Sequence, residues 1–277
     1  MLRLKVFGLA LPLMLVLAGC ASVPLKQGGT LSSYDKLGEP KGSLSKSRIY
    51  VDGAGLAPLK TARIMPTTFA FGALPRVADA ADRALVANAI DRALCVALSD
   101  RYEMVPGGQR ADLTVRTVIT DIVPTDKTMA GVSAVVSLGT DFVLPVGIPR
   151  LPVGLGGLAV EAEAVDRAGV QRAAMVWSRG ANSIQDDPLV SEVGDAYGLS
   201  ADFGSEFARI LVLGKEPEGL DLSLPSGQSV RSWFGGKPKY PACDAFGRAP
   251  GLAGVIAGKV GAPPEWTDKH TQPAAQY

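Results

Sequence analysis

The sequence predicts an α+β domain: a mostly antiparallel sheet, two helices packed on one face, and an irregular C-terminal tail. Three observations predict it. DAADRALVANAIDRALCVALSD (residues 79–100) repeats its apolar residues at helical spacing, and a second helical stretch falls near 200–213. ADLTVRTVITDIVP (111–124) alternates like a half-buried strand. LAVEAEAVDRAGVQRAAMVWSRGANS (158–183) reads as two strands around the turn Asp166–Gly169, with Gly169 supplying a positive φ. Hairpin strands pair antiparallel, and amphipathic helices need an apolar layer to cover.

The elements follow in chain order. Arg3 and Lys5 precede the apolar run VFGLALPLMLVLA (6–18), which has the length of a signal peptide and is too short to span a bilayer. The run closes on Leu17-Ala18-Gly19-Cys20. These residues resemble the lipobox of bacterial lipoproteins. The resemblance implies a signal peptide over residues 1–19, a diacylglycerol on the Cys20 thiol, cleavage just before it, and an acylated new amine. The alternative is an ordinary secretory signal with a chance cysteine. Each buried methylene contributes about 0.8 kcal/mol, so a multiply acylated end is a stable membrane anchor. Ala21 stands where an Asp would resemble the inner-membrane retention signal. The expected location is therefore the outer membrane of a Gram-negative bacterium, on its periplasmic face.

Residues 20–47 are rich in Ser, Gly, Lys and Pro and are expected to form an acylated tether. The domain proper spans 48–214, opening with strands RIYVD (48–52) and TARIMPTTFAF (61–71) around a GAGLAP turn. In the first helix Leu85, Val86, Ala89, Ile90, Ala93, Leu94 and Ala97 share one face, while Asn88, Asp91, Arg92, Ser99 and Cys95 fall opposite, on the solvent side. In the strand that follows, Leu113, Val115, Thr117 and Ile119 share a side. The second helix is capped by Ser200 or Asp202, buries Phe203, Phe207, Ile210 and Leu211, and ends at Gly214. Residues 215–277 read as a Pro/Gly-rich tail that wraps the domain and frays beyond about 262.

Charge excludes one class of partner. The chain has 28 Lys+Arg and 27 Asp+Glu, and Arg3 and Lys5 leave with the signal, so the mature protein is close to neutral. Nothing in that balance favours nucleic acid. Of the three cysteines, Cys95 and Cys243 remain once Cys20 is acylated. An oxidising compartment and the outward placement of Cys95 favour a disulfide that staples the tail over the helix, with two unpaired thiols as the alternative.

Candidate chemistry is sparse. The one histidine, His270, lies in the terminal tail, a poor place for a Ser-His or Cys-His pair. There is neither a His cluster nor a CxxC for zinc. GLGGLA (154–159) lacks the phosphate-loop lysine. Glu161 and Glu163 point the same way from one strand and are expected on an exposed face rather than at acid–base work. Asp186, Asp187, Glu192 and Asp195 lack a regular calcium-ligand spacing and read as a solvated loop. Trp177 reads as core or edge packing rather than a ligand platform. No catalytic residue, cofactor or metal ligand is expected.

LSSYDKLGE (31–39), RIYVD, TARIMPT, ADLTVRTVITDIVP and FARILV (207–212) resemble the DUF3313 family of bacterial lipoproteins over roughly residues 30–213. That resemblance implies a lipoprotein and carries no catalytic residue. At the level of fold alone, the strand order is also similar to the periplasmic domain of the curli secretion channel lipoprotein.

The stretch FVLPVGIPRLPVGLGGLAVE (142–161) closes an apolar insertion over 127–157. Pro145, Pro149 and Pro152 exclude a continuous helix through it, and hence a spanning helix. Three readings stand: an extended hairpin over the domain's own core, an oligomer or partner contact, or a hairpin contributed to a membrane barrel. The expected function is a non-enzymatic accessory or protein-interaction module of the envelope. It would be held on the membrane by its N-terminal lipid, with a second copy or an envelope protein as partner. The alternative is an oligomeric secretion or pore-type lipoprotein that uses 127–157 for assembly or membrane insertion.

Overall fold

The computed structural model describes residues 22–141, 153–183, 186–217 and 226–268. The signal segment, Cys20, His270 and residues 142–152 of the insertion lie outside the described residues. Seven strands form one sheet: β1 (Ser45–Val51), β2 (Thr61–Ile64), β3 (Thr68–Phe69), β4 (Glu103–Met104), β5 (Leu113–Val123), β6 (Gly157–Asp166) and β7 (Gln171–Gly180). Their order is β1-β7-β6-β5-β2-β4, with β3 also paired to β5. The described helices are α1 (Gly53–Leu56), α2 (Ala80–Leu98), α3 (Lys127–Asp141), α4 (Gly194–Leu213), α5 (Gly227–Trp233) and α6 (Gly251–Lys259).

The class is α+β, but the sheet is mixed rather than mostly antiparallel. Its long pairings, β1–β7, β7–β6 and β6–β5, are antiparallel as the hairpin predicts. The short β2–β4, β2–β5 and β3–β5 pairings are parallel. The cause is α2, a 19-residue helix that carries the chain from β2 and β3 back to the other end of the sheet, so β4 and β5 start where β2 started. Gly169 has φ 82° at the β6–β7 turn, as expected there.

The helical layer is α2 and α4 on one face of the sheet. Asp79 caps α2, accepting from the Ala81 amide at 2.7 Å. α4 begins at Gly194, ahead of the expected Ser200 or Asp202 cap, and ends at Gly214 with φ 64°. Leu113, Val115, Ile119, Leu158, Val160, Met175 and Trp177 face these helices and form one core with Leu85, Ile90, Leu94, Phe203 and Phe207. Trp177 meets Phe203 edge-on at 5.5 Å between ring centroids.

Two expectations about exposure are corrected. The polar side of α2 is not solvated: Asp91, Arg92, Cys95 and Ser99 are all buried. Part of the reason is the tail, which is neither irregular nor frayed at 262. It forms α5, α6 and two 3-10 turns, and it packs on α2 through Cys243, Lys239 and Asp268. The second correction concerns the tether. Residues 22–44 do not stand free of the domain; they lie along the sheet face opposite α2 and α4. Leu31 and Leu37 bury there against Ala174 and Val176. Four described helices therefore add to the two expected: the insertion supplies α3, the tail α5 and α6, and the turn after β1 the short α1.

Asp91 gives a testable consequence of this burial. Its carboxylate accepts from the Thr67 hydroxyl at 2.6 Å and from the Thr67 amide at 3.0 Å. Burial pushes the carboxyl up to about 7, against the pull of those hydrogen bonds. The folded chain thus keeps a proton that the unfolded chain releases near 3.8. Stability from this group is highest below that value, falls as pH rises towards 7, and is level above it. Asp82, raised to about 6 by burial and by Glu265 and Asp79, adds a smaller slope of the same sign. Asp91→Asn is expected to flatten the pH 4–7 slope and to gain about 2 kcal/mol above pH 7. Urea unfolding across that range checks it, and an unchanged slope would remove Asp91 as the source.

Candidate functional site

Two places on the fold gather polar or apolar groups beyond what packing requires. The first is the clamp that holds residues 28–34. Glu161 and Glu163 project from β6 on the face opposite the helices. They are 1% and 3% exposed, not on an open strand face as expected. Glu161 accepts from the Gly28 amide at 2.7 Å, the Thr30 amide at 3.1 Å, the Thr30 hydroxyl at 2.5 Å and the Tyr34 hydroxyl at 2.7 Å. Glu163 accepts from the Ser32 amide at 2.9 Å, the Ser32 hydroxyl at 2.6 Å and the Gln171 side-chain amide at 3.0 Å. Arg116 stands 3.5 Å from its other oxygen. Hydrogen bonds to a carboxylate are roughly twice as strong as neutral ones. A buried carboxylate taking four of them is a fastening, and its lone pairs are spent. Burial and the Glu161 charge push the Tyr34 phenol up.

The strap's upstream end is fixed as well. Val23 is buried against Gly157, where an added Cβ would come within 2.2 Å of Val23 Cγ2. The Val23 carbonyl accepts from the Ser178 hydroxyl at 3.1 Å. The spacing of this clamp was present in the sequence. Thr30 and Ser32 step by two residues, as Glu161 and Glu163 do, in an otherwise apolar strand. Two acids on a strand whose other residues are buried signal a polar strand-like partner rather than water.

The second place is a groove of about 660 Å³ between α2, α4 and α5. Ala89, Ala93 and Ala97 on α2 and Ala201 and Ser205 on α4 keep its floor low. The two helices touch closely, and a Cβ on Gly204 would fall 2.6 Å from Ala93 Cβ. Trp233 and Pro250 stand over the groove. A further hollow of about 420 Å³ runs on along α4 to α6 past Tyr197 and Gly198. Trp233 is 59% exposed at the rim. Arg92 on this side is tied to Asp268 at 2.6 Å, and Tyr197 donates to the same carboxylate at 2.8 Å. Burial holds the Tyr197 phenol well above its usual value, so it stays protonated. The arrangement offers shape and apolar surface, with Arg92 paired inside the fold and Asp100 and Arg209 at its lining.

The other sequence-derived candidates separate as follows. Cys95 and Cys243 form a disulfide across 148 residues, with Cα atoms 5.7 Å apart. Asp195 is buried in the first turn of α4, accepting from the Gly156 amide at 2.6 Å and the Thr125 hydroxyl at 2.9 Å. Asp186 accepts from the Asn182 amide at 2.8 Å, and Asp187 meets Lys259 at 2.8 Å. These acids serve different partners rather than one site. Among the described residues no group of three or more His, Cys, Asp or Glu could hold a metal ion, and no helix is long and apolar enough to cross a membrane. The described part of the insertion begins as a helix, α3, and its prolines all follow Asp141; residues 142–152, on which the three readings turn, lie outside the described residues.

A family model described as a protein of unknown function, DUF3313, matches residues 26–207. Among solved structures, the PelC dodecamer from Paraburkholderia phytofirmans is similar with a TM-score of 0.37 and 8% identity, over 63% of this chain and 100% of that one. A point variant of that dodecamer in another crystal form gives 0.34 and 13%, over 58% and 95%. No curated protein matches the chain.

Proposed function

The chain belongs to the DUF3313 family of proteins of unknown function, and from that premise we propose that it is a lipid-anchored, non-enzymatic interaction module of the bacterial envelope. Its place would be the periplasmic face of the outer membrane. The observation that carries the interaction reading is the groove over α2 and α4. Its small-residue floor and aromatic rim suit an apolar segment of a protein partner, taken up by shape. Supporting the location are the Leu17-Ala18-Gly19-Cys20 sequence and the Cys95–Cys243 disulfide, which persists in an oxidising compartment. Cys20 would carry the acyl groups.

A photo-crosslinking residue at Ala201, on the exposed edge of the groove, tests the proposal in cells. One discrete crosslinked species is expected there, lost when Ser205→Trp, on the exposed side of α4, fills the groove. The same probe at Ala168, in the β6–β7 turn, is expected to give none. Equal patterns at the two positions would sink the interaction reading. A crosslinked species consisting of the chain itself, with a native mass of several copies, would replace it with the oligomeric pore-type reading. Cys20→Ser is expected to move the protein from the membrane to the soluble periplasmic fraction.

A further inference from the structure

We propose that the domain meets its membrane end-on: the end of the sheet where Val23 is fastened, together with α3 and the C-terminal part of α6, is a lipid-docking face. This rests on the anchoring of Cys20 proposed above.

The reach of the anchor argues for it. Val23 is seated in the fold, and only three residue steps separate it from Cys20. Fully extended, they span at most about 11 Å. A free segment from Cys20 to Ser45 would reach about 80 Å and leave the domain's orientation open. With the strap closed, the bilayer lies within about 11 Å of Val23, and one end of the domain must face it.

That end can be named. Val23 lies at Gly157, the first residue of β6, which pairs with Val123 at the end of β5 and with Gly180 at the end of β7. α3 starts four residues beyond Val123, and the Asp126 amide donates to the Gly154 carbonyl at 3.0 Å. α3 and α6 meet at this end, since a Cβ on Gly261 would fall 2.5 Å from Ala134 Cβ. The inner side of α3, Ala130 and Ala134, is buried, while its outer side shows Val132 and Val135. Val260 and Ile256 carry the exposed apolar surface on to α6, and Val135 and Ile256 are 71% and 65% exposed. The opposite end of the sheet is different in kind. Its turns present Gln109, Arg110 and Arg167 to water. Apolar side chains gathered at the end that the anchor pulls onto the bilayer have lipid as their natural cover.

The test uses the full acylated protein in vesicles of phosphatidylethanolamine and phosphatidylglycerol. With Cys95 and Cys243 paired and Cys20 acylated, one added cysteine takes one nitroxide label. Val135→Cys and Ile256→Cys probe the face; Ala168→Cys, at the far turn, is the control. On vesicles the two face labels are expected to gain oxygen collisions and to lose collisions with a water-soluble nickel chelate by several-fold. The control should not change. Val23→Asp with Glu161→Ala, which together free the strap without touching Cys20, should keep flotation and return both labels to the control level. Flotation with both face labels as open to nickel as Ala168→Cys would overturn the docking and leave the anchor standing. A fall in both oxygen and nickel collisions would show protein cover, a second copy, and would also overturn it. Failure to float, with no acyl mass on Cys20, would overturn the anchoring and the docking together.

Discussion

Cys243→Ser is expected to lower the free energy of unfolding by about 5 kcal/mol. The disulfide joins residues 148 apart, and the chain-entropy relation gives about 5 kcal/mol for a loop of that length. The loss should be uneven. Cys243 sits in a 3-10 turn between α5 and α6, and the tail is also attached through the Arg92–Asp268 ion pair, the Tyr197–Asp268 hydrogen bond and the Val190–Gly261 backbone bond. Without the disulfide the tail should lift from α2, exposing the groove floor and the partly polar side of that helix. Urea unfolding with and without reductant measures the total. Limited proteolysis between residues 226 and 262 measures the release. Reductant should have no further effect on the Cys243→Ser protein. A midpoint unmoved by reduction would mean that the tail is held without the bond.

The second large effect is expected at the clamp. Glu161→Ala removes the acceptor of two amides and two hydroxyls at once, and it leaves them in a dry place. Hydrogen bonds to a charged group contribute about 1.5–3 kcal/mol each, and an orphaned buried donor costs about 1–3 kcal/mol. Opening of the strap should become easier by about 3 kcal/mol, which is roughly 100-fold in exchange rate at the Gly28 and Thr30 amides. The helical-side core is untouched, so the main unfolding transition should move much less. Glu163→Ala should act the same way but more weakly, because Gln171 and Arg116 share that carboxylate and Arg116 reaches water. Unchanged exchange at Gly28 and Thr30 in the Glu161→Ala protein would mean that Leu31 and Leu37 alone hold the strap.

How far the sequence could be read depends on where each signal is local. α2, β5 and the β6–β7 hairpin declare themselves through periodicity and turn chemistry inside one window, and each formed where expected. The parallel edge of the sheet is not local: β2 is four residues long, and its partners come from the far side of α2. The clamp is split more widely, with Thr30 and Glu161 separated by 131 positions. Composition marks residues 22–44 as flexible, since Ser, Gly and Lys bury little surface. What orders them is a pair of carboxylates on another strand, and no window holds both halves. The same division misplaced Cys95. Helical periodicity put it opposite the apolar face, on the solvent side; the structure buries it in the main core, partly under a tail that begins more than a hundred residues later. The pairing with Cys243 was legible from compartment and placement. Its burial was not.

The strap also sets an order of events during folding. Residues 28–34 have no seat until β6, more than 120 residues downstream, has paired with β7. Until then the N-terminal segment is loose chain. Once Glu161 and Glu163 close on Thr30 and Ser32 and Val23 is seated, anything attached ahead of Val23 is held close to one end of the sheet. On the anchoring proposed above, acylation of Cys20 would belong before the sheet is complete, and closure of the strap would mark the point after which that end is no longer free to be served.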